Sequence, residues 1–145
     1  MRFFLDTNVI IYALDRGAPA KRERAIEWLT ALAGRSAIVI SPQVLNEAAS
    51  VLVHKLKADL TAVREAVAGM ASWCTAPLGP ATADHALQLY ERYGFNWWDC
   101  LVIASALDAP CDCLLTEDLQ DGQNLGHLRI VNPFLHPVES LLGPS

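Results

Sequence analysis

The chain has 145 residues, 52% hydrophobic and 19% charged, which is one domain's worth of ordinary globular composition and excludes a disordered or low-complexity protein. A formal net charge of -5 excludes a basic nucleic-acid coat protein, and the longest apolar runs are far too short to span a bilayer. The charge is uneven: residues 1–64 hold nine Lys/Arg against six Asp/Glu, and residues 65–145 hold two against ten. Met1 and Arg2 lead straight into an apolar strand rather than into a signal segment, and Cys74, Cys100, Cys111 and Cys113 fall in predicted strands or a buried helix, so the expected compartment is the cytoplasm. The Cys111-Asp112-Cys113 pair lacks the second ligand pair that a zinc site needs, and His54, His85, His127 and His136 show no ligand spacing.

Phe3, Phe4 and Leu5 read as a short buried strand, and residues 9–14 read as the apolar start of a helix. Asp6, Thr7 and Asn8 therefore occupy a strand-to-helix junction, where open α/β sheets bind ligands. Helix capping by Asp6 is the structural alternative. Pro19 suits the first turn of a helix with Ala25, Ile26, Trp28, Leu29 and Leu32 inward, ending near Gly34. Lys21, Arg22 and Arg24 oppose the macrodipole at the start of that helix, so with Arg16 they form either a solvated face or a phosphate contact.

Residues 37–40 form a continuous apolar run, as in a strand buried on both faces. Ser41 then caps a helix opened by Pro42, with Val44, Leu45, Ala48, Val51, Leu52 and Leu56 as its stripe and Glu47 at the stripe's edge. Asp59 or Thr61 caps a third helix with Val63, Ala66, Val67 and Met70 inward. A strand is expected at 73–77, and Pro80 opens a helix carrying Ala83, Ala86, Leu87 and Tyr90 as far as Gly94. Asn96, Trp97, Trp98 and Asp99 begin the most apolar helix, with Leu101, Val102, Ile103, Ala104, Ala106 and Leu107. Asp99 lies on its inward side, and either pairs with Asn96 in a cap or takes a cation. Residues 113–116 form another buried strand ending in the polar turn Glu117-Asp118-Leu119-Gln120-Asp121-Gly122, and residues 128–131 form a last strand. Residues 137–145 read as a C-terminal tail.

Helices alternating with short buried strands indicate an α/β fold with a mainly parallel central sheet flanked by helices. Asp6, Glu47, Asp99 and Asp118 each follow a strand end or open an inward helix, so one pocket could collect all four. Two carboxylates 4 Å apart at an effective dielectric of ~20 repel by ~4 kcal/mol, so such a group would take up protons or divalent cations. Hard oxygen ligands suit Mg2+ or Mn2+, which activate water and neutralise charge developing on a phosphodiester.

The stretches Phe4-Leu5-Asp6-Thr7-Asn8, 41–47, Trp98-Asp99-Cys100-Leu101-Val102-Ile103-Ala104 and Leu115-Thr116-Glu117-Asp118-Leu119-Gln120, followed by Asn132-Pro133-Phe134, together resemble the PIN-domain ribonucleases, specifically the VapC-type toxins of bacterial toxin-antitoxin pairs. The resemblance covers nearly the whole chain and implies a single PIN domain over 1–136. It implies a Mg2+- or Mn2+-dependent endoribonuclease that cuts structured RNA such as tRNA or rRNA. In that family four acids form the metal pocket, and they carry over to Asp6, Glu47, Asp99 and Asp118, with Thr7, Asn8 and Thr116 in support. Glu117 and Asp121 compete with Asp118 for the fourth place. The resemblance also implies a homodimer, a cognate VapB-type antitoxin, no membrane, and contact with DNA only through the antitoxin. Arg16, Lys21, Arg22, Arg24, Trp97 and Trp98 are candidate RNA contacts.

Two other readings remain beside it. An aspartyl-phosphate phosphatase would need a second Asp two residues after Asp6, where this chain has Asn8. A PIN-like module that only binds RNA or protein would have no use for four acids beside a core.

Overall fold

The computed structural model describes residues 1–143. In chain order the elements are β1 (Phe3–Leu5), α1 (Thr7–Leu14), α2 (Pro19–Gly34), β2 (Ile38–Val39), α3 (Pro42–His54), α4 (Leu60–Ala71), α5 (Pro80–Tyr93), α6 (Trp97–Asp108), β3 (Cys113–Leu115), β4 (Asn124–Leu125), β5 (Leu128–Val131) and α7 (Glu139–Leu142). They form two compact units, one made of Met1–Ile38 and the chain from Asp112 onward, the other of Val39–Cys111. No helix among the described residues is long and apolar enough to cross a membrane.

The first unit is built on the sheet, whose strand order is β2-β1-β3-β5-β4. Consecutive residues of β1 and β3 are all buried, the pattern of parallel strands covered on both faces. Phe3 pairs in parallel with Cys113 and Leu5 with Leu115, while Leu115 pairs with Val131. The Phe3 amide donates to the Ala37 carbonyl at 2.8 Å beside β2. The short strand β4 was not expected from the sequence; it runs antiparallel to β5, and Gly126 between them takes a positive φ of 63°. Under the sheet Trp28 is fully buried, its ring tilted against Phe3 at 6.3 Å, and its Nε1 donates to the carbonyls of Pro133 and His136. The segment expected as a tail carries α7, with Val138 buried just before it. Residues 144 and 145 of that tail lie outside the described residues.

The second unit is helical. Ser41, Asp59 and Asn96 cap α3, α4 and α6 through their side chains, as their sequence positions predict. The α6 helix is buried almost all round, in keeping with its composition. Three sequence expectations fail. The strand at 73–77 reduces to one bridge between Ile40 and Cys74, because the chain turns into α3 straight after Ile40 and offers no further rung. In α5 the buried face is Thr82, Ala86 and Leu89, while Leu87 and Tyr90 are 56% and 53% exposed. Thr82 reaches back to accept from the Gly79 amide, which fixes the phase of that helix. Ile26, expected inward on α2 of the first unit, is exposed.

Candidate functional site

In the first unit the ladder between β1 and β3 runs one residue past β1, the Asp6 amide donating to the carbonyl of Leu115, the last residue of β3, at 3.0 Å. Asp6 and Thr116 thus stand side by side at the carboxyl ends of two parallel strands. Asp6 caps α1, its Oδ1 accepting from the Thr7 amide at 2.8 Å. Its Oδ2 accepts from the Thr116 hydroxyl at 2.8 Å and from Asn8 Nδ2 at 3.4 Å. Asn8 Nδ2 also reaches Thr116 Oγ1 at 3.3 Å and Asp118 Oδ2 at 3.0 Å, and the Asp118 amide donates to Thr116 Oγ1 at 3.1 Å. Capping and site placement are therefore not alternatives for Asp6, since each uses a different oxygen. Asp6 is only 8% exposed, whereas Asp118 is exposed, so the pair has one fixed, sheltered acid and one open to solvent.

The three acids of the turn after β3 are sorted by their partners. Glu117 pairs with Lys21 at 2.7 Å. Asp121 accepts from the Asn132 amide at 2.8 Å and pairs with His136 at 2.8 Å. Asp118 is the acid joined to Asn8. The Asn132 N–H foremost, then His136, holds the Asp121 carboxyl below its usual value of 3.8. Stability from this pairing is complete above the unfolded value and is lost as pH falls below it through the folded value. Asp121→Asn should therefore narrow its stability deficit against wild type as pH drops from 5 to 2. Denaturant melts over that range check it; a deficit that grows on acidification would contradict the sign.

Lys21, a candidate phosphate contact, is occupied. Its Nζ bonds Glu117 and lies over the Tyr12 ring at 4.6 Å and the Phe134 ring at 5.3 Å, and Glu117 and Tyr12 raise its pKa. Arg24 approaches Glu27 at 3.6 Å, Arg16 is exposed, and the Arg22 Nε is buried with no hydrogen-bond partner.

The second unit holds Glu47 and Asp99. Glu47 is exposed on α3 and stands at a groove of about 550 Å3 lined by Pro42, Gln43, Asn46, Leu78, Trp98 and Leu101. Asp99 does pair with Asn96: its amide donates to Asn96 Oδ1 at 2.9 Å, and its Oδ2 accepts from Asn96 Nδ2 at 2.7 Å. The return bond comes from the side-chain amide rather than from the backbone N–H of a capping box. Trp97 is half-buried and Trp98 is 64% exposed. The sequence reading passed over Gln43, although it precedes Glu47 by four residues and so shares its helix face.

Among the described residues no three His, Cys, Asp or Glu side chains lie close enough together to hold one ion. The pair of Asp6 and Asp118 suits Mg2+ nonetheless, because that ion keeps several waters and is commonly held by one or two carboxylates plus substrate phosphates. The donor set is all hard oxygen, and Asn8 Oδ1 and Thr7 Oγ1 are further buried oxygens with no hydrogen-bond partner.

Residues 3–120 match the family model of the PIN domain, and PIN domains are generally nuclease modules that use divalent metal ions. No protein of curated function matches the chain significantly.

Proposed function

The chain belongs to the PIN domain family, and we propose that it is a divalent-metal-dependent endoribonuclease, the toxin of a toxin-antitoxin pair, acting on structured RNA such as tRNA or rRNA. The observation that carries this reading is the hydrogen-bonded set of Asp6, Asn8, Thr116 and Asp118 beyond the carboxyl ends of β1 and β3. The VapC-type resemblance supplies the toxin role, a VapB-type antitoxin and a homodimer.

Asp6 and Asp118 would hold the cation. When bound, Mg2+ or Mn2+ offsets the charge of the phosphodiester and makes water a better nucleophile. The chain's own part is preorganisation. Thr116 and the Thr7 amide lock the Asp6 carboxylate in one orientation, so no reorganisation is needed when phosphate arrives. Asn8 holds Asp118 in register with Asp6. Asp118, the solvent-facing member, would orient the attacking water and take its proton; the water oxygen would bond to phosphorus as the bond to the ribose 3' oxygen breaks in line, and that oxygen would take a proton from solvent. The resemblance assigns the remaining two acid roles to Glu47 and Asp99. His54, His85, His127 and His136 fall in none of the stretches that carry the resemblance, in keeping with chemistry that uses carboxylates and a metal.

Calorimetric titration with Mg2+ or Mn2+ tests the reading. Saturable binding is expected for the wild type and is weakened about 10- to 100-fold in Asn8→Ala, the usual cost of losing a group that orients a ligand. A module that only binds RNA would show RNA affinity indifferent to metal.

A further inference from the structure

The groove of the second unit has a chemistry of its own. Its walls are apolar, with Pro42, Leu78 and Leu101, and Trp98 stands 64% exposed beside them. The polar groups that line it are Gln43, Asn46 and Glu47, and it contains no Lys or Arg. With no Lys or Arg among the residues that line it, the groove offers no cationic side chain to a phosphate backbone, and its apolar and amide surface suits a base better.

What these groups offer is acceptors. Asn46 spends its Nδ2 on the Pro42 carbonyl at 2.7 Å, which leaves its Oδ1 as an acceptor. Gln43 is 9% exposed; its Nε2 donates to the Trp98 carbonyl at 3.4 Å, and its Oε1 is buried with no donor. Turning that amide over would set two carbonyl oxygens against each other, so the orphan is an acceptor in need of an N–H. A large exposed aromatic surface beside unpaired acceptors fits a flat group carrying an amino edge.

We propose that this groove takes one unpaired, amino-bearing nucleobase of the RNA, stacked on Trp98 with its exocyclic amine toward Gln43 and Asn46. The proposal rests on the nuclease reading in taking RNA as the ligand. Cytosine, adenine and guanine carry the amine; uracil has a carbonyl in its place and would meet acceptor with acceptor. Base stacking on an aromatic side chain makes Trp98 the largest contributor, and the amine supplies the choice among bases.

The test is binding alone, independent of cleavage. Fluorescence anisotropy of labelled hexacytidylate and hexauridylate is measured with the full chain in EDTA at low salt, for wild type, Trp98→Ala and Trp98→Phe. Hexacytidylate should bind wild type more tightly than hexauridylate does. Trp98→Ala should lose about 5- to 150-fold in affinity for hexacytidylate, and Trp98→Phe should recover most of it. Equal affinities of wild type and Trp98→Ala, equal binding of the two oligomers, or no saturable binding of hexacytidylate would each overturn the proposal; the first would leave the groove to a protein segment. Trp98-dependent, cytidine-selective binding in a protein that never cleaves RNA would uphold the base site and defeat the nuclease reading alone.

Discussion

Asp6→Asn is expected to leave the chain folded and to cut RNA cleavage by on the order of 10²–10³ or more, the size seen when one preorganised charge-stabilising group is removed. The amide has the shape of the carboxylate, and its oxygen can still cap α1 through the Thr7 N–H. What disappears is the negative charge, in the most sheltered position of the site. The new Nδ2 would stand where Oδ2 accepted from Thr116 and Asn8, so a loss of about 1–3 kcal/mol with the fold retained is expected. Asp99→Asn is expected to behave likewise, because an amide there can keep one bond to Asn96. Cleavage assays beside circular dichroism separate the outcomes. Full activity in a folded Asp6→Asn protein would remove Asp6 from the chemistry and reduce it to a helix cap.

The second large effect is on stability. Trp28→Ala should destabilise the chain by about 3–5 kcal/mol, the range for truncating a buried large aromatic. Trp28 is fully enclosed, packs on Phe3 of β1, and holds the carbonyls of Pro133 and His136 through one indole N–H. Trp28→Phe keeps much of the packing and leaves those two carbonyls without their donor, so a smaller loss of about 1–3 kcal/mol is expected. Urea melts of the three proteins give the comparison. A Trp28→Phe protein as damaged as Trp28→Ala would show that the hydrogen bonds, and not the ring's volume, dominate.

These residues also show where sequence reasoning succeeds. β1, α1 and the caps at Ser41, Asp59 and Asn96 are local features, written in neighbouring residues, and they stand where the pattern puts them. The juxtaposition of Asp6 with Thr116 follows from parallel pairing of two apolar runs, so it too was within reach. Side-chain partnerships across long stretches of chain were not. Nothing near Lys21 announces Glu117, and nothing near Asp121 announces Asn132 and His136, yet these pairings decide which acid of the turn is left to Asn8. Leu87 and Tyr90 are exposed for another reason: their residue type suggests a core face that the backbone phase of α5 turns outward. Lone exposed apolar side chains are common enough that type alone cannot set a helix's rotation.

That this PIN domain cuts RNA with its own acids and a divalent ion is what we propose. It is tested most directly by incubating the antitoxin-free protein, beside Asp99→Asn, with total folded RNA in Mg2+ or Mn2+ and mapping new 5' ends. Discrete cuts made by the wild type and absent with Asp99→Asn are expected, and their positions would name the target. Intact RNA with both metals, from wild-type protein shown to be folded and free of antitoxin, would contradict the account and leave a PIN domain that binds without cutting.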